Sequence, residues 1–384
     1  MKPDRIYLDY AATTPLRPDV LEAMQPYFAD GYNASSVHAE GRRARAAVDA
    51  ARLRIAAILG CKPKEIVFCA SGSEADNLAI TGAARARKGK HVVASAIEHH
   101  AVLRALDALR DNGYEISLVG ADPSGIIDRD AFAAALRSDT AVAAVMHANN
   151  EIGTIQPIAE LAALARARNI TFVTDAVQAA GALELDVNAL GVDCLTLSAH
   201  KFYGPKGVGA LYVREGTPLE PLIHGGGQER GRRSGTENVP GIVGIAAALE
   251  FAEAERSTAG PRIRALRERF ESAILDSIPQ TVVNGRSAPR LPGISSLSFP
   301  GLAAEPLLIA LDLAGIAASA GSACATGSLE PSHVIDALGL PVATVRATLR
   351  FSLGRATTSA EIERAATLLT SIVSAQREGA PLSV

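Results

Sequence analysis

The chain has 384 residues and a mass of 39.8 kDa, with 48% hydrophobic and 21% charged residues. That balance excludes a disordered, collagen-like or disulfide-scaffold protein and predicts two to three domains, or one large α/β domain with an appendage. A net charge of −3 and a pI near 6.3 offer no general field for polyanions, and 4% aromatics without Trp offer no stacking platform, so nucleic acid is not an expected partner.

The opening MKPDRIYLDYAATTP has no apolar core behind a basic end, and the chain holds no uninterrupted apolar run of membrane-spanning length. A cytoplasmic protein is expected. From Arg42 to Leu59, Ala44, Val48, Ala51, Ile55 and Ile58 recur at steps of three and four before Gly60, which predicts an amphipathic helix ended by a left-handed glycine. Strands are predicted at Glu65–Ala70, His91–Ser95, Glu115–Val119, Thr140–Met146, Thr171–Thr174, Asp193–Ser198 and Val208–Val213, mostly separated by helix-length intervals. This is the pattern of a seven-stranded, mainly parallel sheet covered by helices on both faces. Beyond about Pro240 the texture changes: a long Ala/Glu/Arg-rich stretch to Asp276, a strand at Ile294–Phe299, a helix at Leu302–Leu313, a strand at Thr348–Leu353 and a terminal helix read as a smaller α+β domain. The expected division is 16–255 for the large domain, with 1–15 and 256–384 forming the small one. No repeat or low-complexity linker separates them, so a shared cleft is the expected ligand site.

Three motifs carry chemistry. Ser71-Gly72-Ser73-Glu74 follows an apolar strand with capping-box spacing, and its free N–H groups, Gly72 backbone and Ser73 hydroxyl suit a phosphate as well as a simple helix cap. Asp175 sits just past the apolar NITFV, at the strand end that faces the crevice of an open parallel sheet; capping of a following helix is the bland alternative. Lys201, in Ser198-Ala199-His200-Lys201, lies between an apolar strand and a Gly/Pro loop, where partial burial would lower its pKa and free its amine for a Schiff base. An amine, a carboxylate and a phosphate cup are the handles that pyridoxal phosphate requires.

With these in place the chain closely resembles the NifS/IscS-like cysteine desulfurases of the class V aminotransferases. The likeness runs through YLDYAATTP (Tyr7–Pro15), SSVHAEGR (Ser35–Arg42), EHHAV (Glu98–Val102), HANNEIGTIQP (His147–Pro157), DAVQAAG (Asp175–Gly181), SAHKFYGPKGVGALYVR (Ser198–Arg214), GGGQERGRRSGT (Gly225–Thr236), GSACATGSLEPS (Gly321–Ser332) and RFSLGR (Arg350–Arg355). The resemblance implies fold type I of the pyridoxal-phosphate enzymes and the conversion of L-cysteine to L-alanine through a ketimine, with a persulfide formed on Cys324. It implies Lys201 as the Schiff-base lysine, Asp175 at the ring nitrogen, Gln178 at the ring hydroxyl and His99 stacked on the ring as a proton acceptor. Gly72, Ser73, Ser198 and His200 would hold the phosphate, joined by Thr236 from the neighbouring subunit of a homodimer. Asn150, also near the ring hydroxyl, and Arg350 would receive the substrate carboxylate. A sulfur-acceptor protein such as an iron–sulfur scaffold is the implied partner.

Cys324 lies in a run of small residues with no periodic apolar face, which predicts a mobile loop carrying a thiol. Cys69 and Cys194 fall in apolar strands and read as buried, and Cys61, between Gly60 and Lys62, reads as exposed with no motif around it. No metal site is expected from such spacing. The chain departs from its relatives at Asn33-Ala34-Ser35-Ser36, at Ser73, where threonine is usual, and in ending at Val384 without the longer tail of housekeeping members. Selenocysteine lyase or another class V reaction is the alternative activity; a silent scaffold would lack Lys201 or Asp175.

Overall fold

The structure, a computed structural model, describes residues 5–30, 32–321 and 332–379. Its strands in chain order are β1 (Ile6–Tyr7), β2 (Ile66–Cys69), β3 (His91–Ser95), β4 (Glu115–Val119), β5 (Thr140–Ala144), β6 (Thr171–Asp175), β7 (Cys194–Ser198), β8 (Gly209–Val213), β9 (Val282–Val283), β10 (Ile294–Ser298), β11 (Ile316–Ala317) and β12 (Thr348–Ser352). The seven apolar runs expected to form one sheet do so, in the order β2-β8-β7-β6-β5-β3-β4. Only β8 runs against its neighbours β2 and β7; the other pairs are parallel. Because both faces of such a sheet are covered, β2, β3, β5, β6, β7 and β8 are buried at every position. One consequence governs the chemistry: β2, β3, β5, β6 and β7 end at the same edge, where ligands of open parallel sheets bind.

The helix Ala39–Leu59 begins three residues before the periodic stretch, because His38 caps it by accepting from Gly41 N. It ends as expected at Gly60, whose φ of 68° is the left-handed conformation that a side chain disfavours. Asp175, expected just past its strand, is the last residue of β6.

A second, three-stranded antiparallel sheet, β12-β10-β9, comes from the C-terminal half with the helices Ala304–Leu313 and Ser359–Arg377, and the N-terminal β1 joins this part by pairing with β11. Their apolar core, with Phe270, Leu297, Phe299, Leu349 and Phe351, is separate from the cores on the large sheet. A single helix, Val239–Ser277, joins the two: Ala252 and the residues before it pack on the large sheet, while Ile263, Phe270 and Ile274 pack on the small one. Residue 255, the expected end of the large domain, therefore falls inside one helix. Pro261 also lies within it and removes a backbone donor at a typical cost of about 3 kcal/mol; apolar packing at both ends of the helix offsets that loss.

Candidate active site

The residues following the aligned strand ends converge on one cavity of about 260 Å³. Gly72 and Ser73 reach it from the end of β2, His99 from β3, Asn150 from β5, Asp175 and Gln178 from β6, and Ser198, His200 and Lys201 from β7. Arg350 enters from β12 of the small sheet, so the cavity lies between the two sheets. One expected residue among those described is not in it. Thr236 is exposed and lines a separate recess beside Phe68 and Arg233. Cys324 lies outside the described residues.

Lys201 ends a single 3₁₀ turn, Ala199–Lys201, that follows β7 directly. Its Nζ donates to the carbonyls of Ala11 and Ala12 at 2.7 and 2.8 Å. Gln178 Nε2 donates to the same Ala11 carbonyl at 2.9 Å. The N-terminal motif thus folds over the site: Thr14 N and Oγ1 both donate to the His200 carbonyl, and Thr13 Oγ1 lies 3.1 Å from His200 Nδ1. Just beyond, Tyr203 adopts φ of 66°, rare for a non-glycine residue, and its N–H donates to Thr14 Oγ1 at 2.7 Å.

Asp175 is buried, and its Oδ1 accepts the Val177 N–H at 2.8 Å. A second buried carboxyl, Asp76, accepts from Thr196 Oγ1 at 2.7 Å on the neighbouring strand. Burial raises both acids, and the charge of Asp175 pushes Asp76 up further; the Val177 N–H and the charge of Lys201 hold Asp175 down. Asp175 is accordingly the member of the pair that carries charge beside the lysine.

His99 caps the helix His100–Asp111, its Nδ1 accepting from Ala101 N at 3.1 Å. Burial, then the charge of Lys201, depress it to about 4, so near neutral pH the ring is uncharged. With Nδ1 used as an acceptor, the proton of the neutral ring resides on Nε2. His200 is likewise lowered to about 4, first by burial and then by Lys201.

Arg350 is 2% exposed. Its Nη1 donates to the Asn150 carbonyl and its Nη2 to Asp9 Oδ1, both at 2.9 Å, while Nε is buried without a partner among the described residues. Asp9, Asp76 and Thr196 were not singled out from the sequence. Asp9 stands inside the YLDYAATTP motif, which was its only available signal; Asp76 sits one turn after Ser73 but carries no spacing signature of its own.

Of the remaining cysteines, Cys69 in β2 and Cys194 in β7 are buried as expected, with thiols raised by desolvation. Cys61 differs from expectation. It is half-buried against the core of the large sheet, and its thiol is pushed up to about 12, mainly by desolvation.

Glu98 provides a test of the site's electrostatics. Its Oε1 accepts from Ser95 Oγ and Met146 N, its Oε2 is buried without a partner among the described residues, and burial raises it from 4.5 to about 8. Between these values the folded chain holds a proton that the unfolded chain has released. The group's contribution is therefore full below 4.5 and is lost as pH rises through 8. The depressed histidines act only below about 6.5, so the window above it isolates the acids. Glu98→Gln is expected to remove about 2 kcal/mol of the stability loss between pH 6.5 and 9, measured by urea unfolding at each pH. Parallel profiles for the two proteins would show that Glu98 titrates normally.

The geometry agrees with comparisons to known proteins. The class-V aminotransferase family matches residues 6–365. Cysteine desulfurase IscS of Dictyoglomus turgidum is 46% identical over 379 residues, covering 98% of this chain and 96% of the relative. The chain belongs to the class-V aminotransferase family, among its cysteine desulfurases. A solved NifS-like protein superposes with a TM-score of 0.90 at 34% identity, covering 96% of this chain and 99% of that one. A second, SspA in complex with cysteine, gives 0.82 at 38% identity over 92% of this chain and 100% of the other. The fold is thus that of the type I pyridoxal-phosphate enzymes of this family. No helix among the described residues is long and apolar enough to cross a membrane.

Proposed function

We propose that this desulfurase binds pyridoxal phosphate and L-cysteine in the cavity between the sheets, and passes the sulfur to Cys324 as a persulfide. The observation that carries the reading is the meeting of Lys201, Asp175 and Arg350 in one cavity. The donor set fits the cofactor. A buried carboxyl suits a pyridinium nitrogen, and Ser73, Ser198 and His200 surround the start of the helix Gly72–Asn77, whose N–H groups suit a phosphate. The helix start packs tightly here: a Cβ at Gly72 would stand 3.0 Å from Val177 Cγ2 and 3.1 Å from Ser198 Cβ. Gln178 and Asn150, which line the same cavity, would serve the ring hydroxyl.

When bound, the cofactor supplies an aldehyde for amine condensation and a ring that takes up the electron pair left at the substrate Cα. Lys201 would tether it and carry the substrate's Cα proton. Asp175 would hold a proton on the ring nitrogen. Arg350, which lines the cavity, would offer its guanidinium to the substrate carboxylate. His99 would stack on the ring, and its Nε2–H would donate a hydrogen bond to the thiolate once the thiol proton has left to water. The Cys324 thiolate attacks the substrate sulfur: the S–S bond forms as the C–S bond breaks, the electron pair stays with the carbon skeleton, and protonation there yields alanine. That a solved relative holds cysteine supports the substrate. Thr236, exposed and outside the cavity, agrees with a contribution across a homodimer. The persulfide then passes to an acceptor protein such as an iron–sulfur scaffold.

The test is direct. Protein reconstituted with pyridoxal phosphate and given L-cysteine is expected to release alanine and to gain one sulfur atom on the peptide containing Cys324, read by mass spectrometry. Alanine release from selenocysteine alone would select the lyase instead.

A further inference from the structure

Glu151 is an acid of the cavity that the reading above does not use, although it is only 2% exposed and faces the same space as Lys201. Its place is fixed from behind. Asn149 Oδ1 accepts the Glu151 N–H at 2.8 Å, and Asn149 Nδ2 donates to the Ile97 carbonyl at 2.9 Å, which ties this turn to the chain after β3. Its carboxyl meets two residues that flank the span 322–331 on either side. Ser332 Oγ donates to Glu151 Oε2 at 2.5 Å. Gly321, at φ of 99°, approaches the same oxygen so closely that a Cβ there would lie 2.5 Å from Oε2 and 3.2 Å from Cδ.

Each flank is also held by a neighbour. Ser332 Oγ accepts from Val334 N at 3.1 Å, capping the turn His333–Asp336, and His333 Nε2 lies 2.9 Å from the Glu98 carbonyl. On the other side Ser319 and Arg350 exchange both backbone hydrogen bonds, at 3.1 and 2.6 Å.

We propose that Glu151 is a positioning residue for sulfur transfer, its carboxylate clasping Gly321 and Ser332 together so that the residues between them start and finish beside the substrate. The inference rests on the reading that Cys324 is the thiol that takes the sulfur. The physical effect is one of effective concentration. Anchoring both ends of a short span beside the cavity restricts the volume that its thiol explores, and this raises the frequency of productive approach without a new contact to the substrate.

The test compares Glu151→Ala, Glu151→Gln, Ser332→Ala and the Glu151→Ala/Ser332→Ala pair in holoenzyme, with Cys324→Ala as reference. Glu151→Ala is expected to slow alanine release and persulfide formation by about tenfold, with KM for cysteine within about twofold of the parent. Ser332→Ala slows both in the same manner. The double variant is no slower than Glu151→Ala, because both changes open one clasp. Glu151→Gln, whose amide oxygen still accepts from Ser332, recovers to within about threefold. Parental persulfide rates in Glu151→Ala and Ser332→Ala would overturn the proposal, as would a loss carried wholly by KM or multiplying single effects in the double variant. Should Glu151→Ala fail to fold, Ser332→Ala, which removes one hydroxyl, carries the test alone. The two readings fail separately: parental activity in Cys324→Ala removes the sulfur-transfer reading, whereas an inactive Cys324→Ala beside fully active Glu151→Ala and Ser332→Ala removes only the clasp.

Discussion

Lys201→Ala is expected to lower alanine release from L-cysteine by at least about 10³-fold, since one amine serves both as tether and as proton carrier. No neighbour replaces it. Lys206 comes after the Gly204-Pro205 loop and does not line the cavity, and the Arg350 guanidinium stays protonated and offers no free amine. The loss is chemical more than structural, because the amine's described partners are carbonyls of the overlying N-terminal loop, not the apolar core. Removing the cation also releases a field. The charge of Lys201 holds Asp175 down and depresses His99 and His200, so all three should titrate at higher pH in the variant. Absorbance of the added cofactor, urea unfolding and histidine NMR would separate these effects. Alanine release within tenfold of the parent would exclude Lys201 from the chemistry.

Cys324→Ala is expected to retain bound cofactor and the spectral change on adding cysteine, while steady alanine release falls by about 10²-fold or more. The reason lies in the other thiols. Cys61 is half-buried and pushed up to about 12, and Cys69 and Cys194 are enclosed in strands with their thiols raised by desolvation. Near neutral pH none of them presents a useful fraction of thiolate, the form that attacks sulfur. Iodoacetamide should therefore label Cys324 in preference to the rest. Full turnover in this variant, or persulfide on another cysteine in the parent protein, would contradict the assignment.

Much of the large sheet was legible because its strands are buried on both faces and so read as continuous apolar runs, as in IVFC, HVVAS and TFVTD. Site residues at strand ends were legible for a related reason: polar residues interrupt such runs where the chain leaves the core, and parallel connections bring those ends to one edge. The joining helix was less so. Pro261 and Gly260 argue locally for a break, yet the helix continues through them because each half is packed against a different core.

By itself the sequence determined the order of the elements, the aliphatic character of the core and which polar residues stand at the strand ends, since periodicity and strand-end chemistry are local properties. Only the tertiary structure decided that Ala11 holds Lys201 across 190 residues and that Asp9 pairs with Arg350 across 341. It alone set Asp76 beside Asp175, and brought Gly321 and Ser332 onto one oxygen of Glu151. Those contacts come from packing two sheets across a cavity, where burial removes water and makes each polar partner matter, and no spacing along the chain encodes which residues will meet there.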